Sequence, residues 1–216
     1  MRDFIDYLSY NRTDLISSGI QHLQIVVISV LLGTAVGLAL GVLAFRRPRL
    51  RNPILATAGL ILTIPSLALY ALLFVPLGFG RPPVIVALAL YSLLPITRNT
   101  VAGLGSVDPA IVESGQGMGM TRRQRLLRIE LPLAWPVIIV GIRVATVIVV
   151  GITALGVVVS GPGFGVQIFD GLRRIGSPNA IDAALAGTLG VVVIGIALDA
   201  LFIVLARLTT PRGIRD

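Results

Sequence analysis

Residues 113 to 132 read Glu-Ser-Gly-Gln-Gly-Met-Gly-Met-Thr-Arg-Arg-Gln-Arg-Leu-Leu-Arg-Ile-Glu-Leu-Pro, a polar stretch rich in glycine and arginine within an otherwise apolar chain. Charged side chains are costly in hydrocarbon, so we expect this stretch to lie outside the membrane. Its composition predicts a surface on which another protein docks. The alternative is an ordinary loop whose arginines only set the orientation of the chain.

The residues around this stretch predict two short helices that meet at a glycine. Asp108 followed by Pro109 is typical of an N-cap and the first residue of a helix. Gly119 is expected to end that helix in the left-handed conformation. Thr121 with Gln124 three residues later is a capping-box pattern, which predicts the start of a second helix. Together they would form a protruding element, which we call the knob, with its two helices starting at Asp108 and Thr121.

The composition is that of an integral membrane protein. Of 216 residues, 55% are hydrophobic and 13% are charged, with a mean hydropathy of +0.93. Soluble domains carry about 25% charged residues. All 18 basic residues are arginines, and most lie in short segments between apolar stretches, which indicates membrane topology rather than nucleic-acid binding. The chain has no cysteine, which excludes disulfides and cysteine-ligated metals.

Five segments are long and apolar enough to span a bilayer, which requires roughly 20 residues. We place them at about 23–45, 53–75, 83–104, 132–158 and 183–206. The predicted fold is therefore all-α, with residues 1–216 forming a single transmembrane domain. The sequence contains no Walker motif and no catalytic grouping, so any energy that the protein uses must come from a partner or an ion gradient.

The arginine distribution predicts which side of the membrane each segment faces. Twelve arginines fall on one side: Arg46, Arg47, Arg49, Arg51, Arg98, Arg122, Arg123, Arg125, Arg128, Arg207, Arg212 and Arg215. Five fall on the other: Arg2, Arg12, Arg81, Arg173 and Arg174. Because cytoplasmic segments carry the excess of basic residues, the amino terminus is predicted outside and the carboxyl terminus inside.

Small residues and prolines within the spans predict helix contacts and bends. Gly33, Gly37 and Gly41 recur every four residues, which favours close helix packing over a glycine-lined pathway. Pro65 and Pro95 each remove a backbone donor inside a span, and bends of this kind often border a cavity. Both are candidates for a gating role.

Arg143 and Asp199 are ionisable residues inside apolar spans, where such groups usually face protein or water. Both lie roughly 10–12 Å from the same membrane face at about 1.5 Å per residue. We predict that they form a pair. The alternative is that Arg143 extends to the headgroups while Asp199 faces a wet vestibule.

The glycine-rich segment Ser160 to Gly165, which includes Phe164, is predicted to lie outside. It fits a re-entrant or gate-closing segment, and ordinary turn chemistry is the alternative. The single histidine, His22, has no companion ligand pattern, so no metal site is assigned.

The spacing around the knob resembles the coupling loop, or EAA motif, of ABC importer permeases. That motif is Glu-Ala-Ala, three residues, Gly, nine residues, and Ile-x-Leu-Pro; here Ser114 and Gly115 replace the two alanines. The resemblance implies a cytoplasmic coupling loop at about 105–131 that inserts into an ATPase subunit. It assigns ATPase coupling to Glu113, Ser114, Gly115, Gly117, Gly119, Thr121, Ile129, Leu131 and Pro132.

Four strings together resemble the permeases of osmoprotectant importers, which carry glycine betaine, choline and carnitine. These are Thr63 to Ala68, Tyr91 to Thr100, Glu113 to Thr121 and Gly141 to Arg143. The segment from Ser160 to Gly165, which we call the outer loop, departs from the Gly-Ala-Gly-Gly-Leu-Gly-like string that the resemblance predicts at this position.

The resemblance implies a type I importer in a bacterial cytoplasmic membrane. Two five-span permeases, identical or homologous, would sit on two ATPase subunits and receive solute from an extracytoplasmic binding protein. ATP and magnesium would bind the ATPase, and this chain would bind no cofactor, metal or nucleic acid but would contact lipid. Candidates for the pathway or its gates are Pro65, Ser66, Tyr91, Pro95, Arg143, Phe164 and Asp199.

Two alternatives stay open. One is the same machine carrying another small solute, notably methionine. The other is a secondary transporter or channel that needs no ATPase, which leaves the spacing from Glu113 to Pro132 unexplained.

Overall fold

The computed structural model describes residues 2–209, and these residues form an all-helical bundle. The helices are α1 (Arg2–Tyr10), α2 (Arg12–Arg46), α3 (Pro48–Thr63), α4 (Ser66–Leu77), α5 (Arg81–Gly105), α6 (Pro109–Gly117), α7 (Arg122–Arg125), α8 (Leu131–Thr153), α9 (Gly165–Arg173) and α10 (Ala180–Thr209). A π-helical segment (Leu126–Glu130) joins α7 to α8, and a 3₁₀ segment (Ala154–Val159) follows α8.

Within the described range, four helical stretches are individually long and apolar enough to cross a membrane. They are α2, α5, the continuous stretch Arg122–Val159, and α10. The pair α3 and α4 passes the same test only when the two are taken together, as a fifth, broken span. The predicted spans 83–104 and 183–206 fall within α5 and α10.

The second predicted span, 53–75, is not one straight helix. Its two halves, α3 and α4, are bent by 99° at Ile64 and Pro65. Pro65 has no backbone N–H, and it disfavours the helical conformation of the residue before it. Ile64 is accordingly extended, with φ −64° and ψ 128°. The Tyr91 hydroxyl donates to the Ile64 carbonyl at 2.8 Å, so a carbonyl at the break is hydrogen-bonded by a side chain of α5.

The first predicted span, 23–45, is shorter than the helix that contains it. Helix α2 has 35 residues and begins at Arg12, directly after Asn11. Its first turns include Asp14, Ser17 and Ser18, which a search for apolar residues does not include. The span therefore extends as a continuous helix beyond its apolar portion.

Helices α2 and α5 pack closely at Gly33, Gly37 and Gly41, as the recurrence of glycine every four residues predicted. A Cβ added to Gly37 would lie 2.9 Å from the Ile96 Cγ2, closer than two carbon atoms pack without adjustment. Gly33 and Gly41 face Ser92 and Thr100 of α5 in the same way. The buried core continues from this contact into α8, which packs against both α5 and α2.

Candidate functional site

The first helix of the knob forms as predicted and is capped by its own residues. The Asp108 Oδ1 accepts a hydrogen bond from the Ala110 N–H at 2.8 Å. Helix α6 continues through Ser114 and Gly115 to Gly117, so replacing the two alanines of the motif does not prevent a helix here. The Ser114 hydroxyl donates back to the Ala110 carbonyl at 2.8 Å.

The end of α6 is a Schellman motif. Gly119 has φ +78°, the left-handed conformation predicted for it. The Gly119 N–H donates to the Gln116 carbonyl at 2.9 Å, and the Met120 N–H donates to the Gly115 carbonyl at 3.1 Å. These two bonds satisfy carbonyls that the helix end would otherwise leave free.

The second helix begins with the predicted capping box. The Gln124 side chain accepts from the Thr121 N–H at 2.8 Å, and the Thr121 hydroxyl accepts from the Gln124 N–H at 3.3 Å. Helix α7 is only four residues long because the chain then widens into the π-helical segment.

The sequence analysis did not predict the π-helical segment, although Pro132 at the end of the motif indicates one. The Leu131 N–H donates to the Leu126 carbonyl, a wide turn in place of the ordinary α-helical bond. Pro132 follows at once, and a proline inside a helix clashes with the carbonyl four residues earlier. The wider turn accommodates the ring, so the knob joins α8 without a break.

The knob packs onto the π-helical segment at Gly115. A Cβ added to Gly115 would lie 2.7 Å from the Ile129 Cδ1. The Arg125 guanidinium donates to the Met120 carbonyl at 3.0 Å, which holds the two helices of the knob together. The motif residues Gly115 and Ile129 are therefore contact partners, not only points in a spacing pattern.

An ion pair that the sequence analysis missed lies beside this contact. Glu130 is buried, with 4% of its side chain exposed. The Arg46 Nη2, at the end of α2, donates to both of its carboxylate oxygens at 2.9 and 3.0 Å. The two residues are 84 positions apart, so no local pattern could have indicated the pair.

Three pathway candidates meet at the break between α3 and α4. Pro65 and Ser66 form the turn, and the buried Tyr91 binds the Ile64 carbonyl beside them. Pro95 lies one turn further along α5, which remains a single helix through it. Helix α8 crosses here, since a Cβ on Gly141 would lie 2.7 Å from the Pro95 carbonyl oxygen.

The pair predicted between Arg143 and Asp199 is present. The Arg143 Nε and Nη2 donate to the two Asp199 carboxylate oxygens at 2.5 and 2.7 Å. The pair joins α8 to α10, and more than a third of each side chain is exposed at 39% and 35%. Both carboxylate oxygens are used, which is the geometry that favours arginine over lysine.

Phe164 is buried at the end of the molecule opposite the knob. Its ring fills a gap between α2 and α10. A Cβ added to Gly19 of α2 would lie 3.2 Å from the ring, and a Cβ added to Gly190 of α10 would lie 2.5 Å from it. The His22 ring lies beside it, with ring centroids 5.9 Å apart. The segment from Ser160 to Gly165 thus packs against neighbouring helices, and its gating role stays a prediction.

Groups from distant parts of the chain donate hydrogen bonds to carbonyls at the end of α8 and in the 3₁₀ segment that follows it. The His22 Nε2 donates to the Val150 carbonyl at 3.1 Å, and the Tyr70 hydroxyl donates to the Ile152 carbonyl at 3.0 Å. The Gly80 N–H donates to the Val159 carbonyl at 2.7 Å. His22 therefore acts as a packing and hydrogen-bonding residue of the core.

A polar cavity of about 380 Å³ opens at the same end, between α1, the start of α2, and α9. Asp14, Asp170 and Arg174 line it together with Tyr7. Burial raises the pKa of the Tyr7 hydroxyl above its ordinary value. The hydroxyl is therefore neutral at physiological pH and can both donate and accept hydrogen bonds there.

Comparison with known proteins identifies the family. Residues 29–211 match the family described as binding-protein-dependent transport system inner membrane component. The chain belongs to this family. It is a permease subunit of the inner membrane.

The permease is similar over its full length to transporters of small solutes. It is 42% identical to the osmoprotectant import permease protein OsmW of Salmonella typhimurium, over 99% of this chain and 100% of that protein. It is 37% identical to the choline transport system permease protein OpuBB of Bacillus subtilis, over 100% of this chain and 97% of that protein. The glycine betaine/carnitine/choline transport system permease protein OpuCB of Bacillus subtilis is 36% identical over the same shares.

Solved structures show that the permease has the type I ABC importer fold. The MetNI methionine ABC transporter in its inward-facing conformation matches with a TM-score of 0.79 at 22% identity, over 91% of this chain and 96% of that chain. An amino acid ABC transporter crystallised with histidines gives a TM-score of 0.74 at 18% identity, over 94% and 97% of the two chains.

Two surfaces of the permease are apolar and exposed. On the knob, Met118 is 74% exposed and Ile111 is 45% exposed, and Glu113 is exposed on the same helix. Helix α10 buries only Ala180, Ala183, Ala186 and Gly187, all in its first half. The knob surface lies outside the spans, whereas most of the surface of α10 is not covered by the rest of the chain.

Proposed function

We propose that this permease forms the translocation pathway of an ATP-driven importer for osmoprotectants of the quaternary amine class, such as glycine betaine, choline and carnitine. The observation that carries this proposal is the full-length identity to permeases named for these solutes. The likeness to the methionine transporter, at 22% identity, supports the fold and says nothing of the solute.

Two permease subunits, identical or homologous, would enclose the pathway. A bundle of five spans has little interior space of its own, and its core is filled by packed side chains. The exposed apolar side chains of α10 give a second subunit or lipid a surface to cover. An extracytoplasmic binding protein would deliver the solute at the end that carries the polar cavity of Tyr7, Asp14, Asp170 and Arg174.

The knob would dock into the ATPase subunit, which binds ATP and magnesium. Its caps are internal, so the knob keeps its shape without help from a partner. Its exposed surface combines the Glu113 carboxylate with the apolar side chains of Ile111 and Met118. A charge beside exposed apolar groups is the composition expected of a docking surface. Closure of the ATPase dimer would then move the knob and the helices joined to it.

The candidate pathway elements are the break at Pro65 and Ser66 with Tyr91, and the Arg143–Asp199 pair. A broken helix in a membrane leaves backbone groups that need partners or water, which is why such breaks line cavities. The paired charges lie partly exposed on the isolated chain and would need protein or water beside them.

The test is ATPase activity of the reconstituted complex of permease, co-encoded ATPase and binding protein, titrated separately with glycine betaine, choline, carnitine and methionine. We expect a quaternary amine to stimulate ATP hydrolysis. Stimulation by methionine alone would support an ATP-driven importer but contradict the proposed solute class. Failure of the permease to bind the ATPase, together with uptake by the isolated permease, would favour a secondary transporter.

A further inference from the structure

The buried ion pair between Glu130 and Arg46 connects two parts of the chain that the sequence keeps apart. Glu130 is the last residue of the π-helical segment, and Arg46 is the last residue of α2. Among residues 2–209 there are three ion pairs, and this one has the most buried carboxylate. A buried carboxylate is maintained only where a partner compensates for its lost hydration.

Contacts run from the knob directly to this pair. Gly115 of α6 lies against Ile129, and Ile129 immediately precedes Glu130 in the π-helical segment. The segment continues into α8 without a break. A displacement of the knob therefore reaches α8 through the chain itself, and it reaches α2 through the Glu130–Arg46 pair.

Helix α2 in turn is closely packed against α5. At Gly37 the two helices approach so closely that an added Cβ would lie 2.9 Å from Ile96. Such an interface resists sliding because the Ser92, Ile96 and Thr100 side chains lie directly against the glycines of α2. Helices α2 and α5 are therefore expected to move together, and α5 contributes Tyr91 to the break at Ile64.

We propose that Arg46 and Glu130 are positioning residues that transmit movement of the knob to the α2–α5 pair. Without them, ATPase closure moves α8 while the end of α2 beside the knob lags behind. This proposal rests on the proposed function, because it assumes that an ATPase docks on the knob. It differs from the coupling-loop assignment in that Glu130 is buried and paired with Arg46, so the pair acts within the permease.

The first experiment measures coupling in proteoliposomes that contain the full complex, with glycine betaine as the transported probe. Glu130→Gln and Arg46→Gln are expected to raise the number of ATP molecules hydrolysed per glycine betaine imported by about fivefold or more. The reversed pair, Arg46→Glu with Glu130→Arg, should recover most of the wild-type ratio. Arg49→Gln, which removes an exposed arginine three residues beyond Arg46, is the matched control and should leave the ratio unchanged.

A second measurement does not depend on the solute. The chain has no cysteine, so spin labels at Arg123→Cys in α7 and Leu43→Cys in α2 report the distance between the knob and the end of α2. We expect MgATP to leave this distance unchanged in an otherwise wild-type complex and to shift it when Glu130→Gln is added. If Glu130→Gln fails to assemble, Arg46→Gln gives the same test, since 34% of the Arg46 side chain is exposed.

These measurements separate the two proposals. Loss of ATPase binding in the wild-type complex would overturn the proposed function, whereas loss of coupling in the variants requires that binding be intact. A wild-type coupling ratio in both single variants, or an equal MgATP-dependent shift with and without Glu130→Gln, would overturn the transmission role.

Discussion

The knob and the outer loop, at opposite ends of the molecule, are built in opposite ways. In the knob, the hydrogen bonds that define the fold join residues two to five positions apart, as at Asp108 and Ala110 or Gly115 and Met120. In the outer loop, Ser160 to Gly165, the fold depends on distant helices, because His22 lies against Gly163 and the Phe164 ring packs between Gly19 and Gly190. The knob is exposed and the outer loop is buried.

This difference indicates how each region responds to change. A locally capped, exposed element can alter its surface without losing its fold, so substitutions on the knob should affect partners before stability. A loop held by distant side chains should lose stability first. Substitutions matched between the two regions test this contrast.

The largest expected effect is functional and lies on the knob. Glu113→Ala should abolish ATP-driven uptake and ATPase binding while changing the free energy of unfolding by less than about 0.5 kcal/mol, because the side chain is exposed. Co-purification of the ATPase with each variant and uptake in proteoliposomes are the measurements. Asp14→Ala, an exposed carboxylate at the other end, is the control and should retain ATPase binding. Normal uptake by Glu113→Ala would contradict the coupling assignment.

The largest stability effect is expected in the outer loop. Phe164→Ala should lower the free energy of unfolding by about 3 kcal/mol, because the ring fills the gap between Gly19 and Gly190. Phe164→Leu retains much of the volume and should lose less. Thermal unfolding of the purified permease in detergent gives the comparison. Equal melting temperatures for wild type and Phe164→Ala would show that the loop is not held by this ring.

Gly119 and Gly117 form a matched pair within the knob. A Cβ at either position would meet no atom within 4 Å, but only Gly119 has a left-handed φ, +78°. Gly119→Ala should therefore cost about 1–2 kcal/mol through backbone conformation alone. Gly117→Ala should be neutral or stabilising by up to about 1 kcal/mol, because it lies within α6. The free energy of unfolding of the two variants measures the difference, and equal values would rule out the Schellman cap.

The smallest effect is expected from one hydroxyl at the outer end. Tyr70→Phe removes the donor to the Ile152 carbonyl and should lower the free energy of unfolding by about 1 kcal/mol. Tyr10→Phe is the control, since Tyr10 is 89% exposed. If the two substitutions have the same effect, the 3₁₀ segment does not depend on Tyr70.

Predictions from the sequence were accurate where the interactions that decide the structure are local. The caps at Asp108, Gly119 and Thr121 follow from rules that span a few residues, and all three are present. The Arg143–Asp199 pair was predictable because two charges at equal depth in apolar helices have few other partners.

The remaining features depend on contacts between distant parts of the chain. A proline inside an apolar segment indicates a bend, but the 99° break at Pro65, against an unbroken helix through Pro95, depends on what packs beside each. The Glu130–Arg46 pair and the bond from His22 to Val150 join residues 84 and 128 positions apart. No spacing pattern reports such separations.

The continuous stretch Arg122–Val159 has the proportions of a lever. Its 38 residues span roughly 57 Å at about 1.5 Å per residue, and Gly141, where it packs closely on α5, lies near its midpoint. A rod tilting at that crossing carries its two ends in opposite directions. A tilt of about 5° displaces each end by roughly 2.5 Å, with each arm about 28 Å long. A single rotation of this stretch would then close the pathway on one side of the membrane and open it on the other.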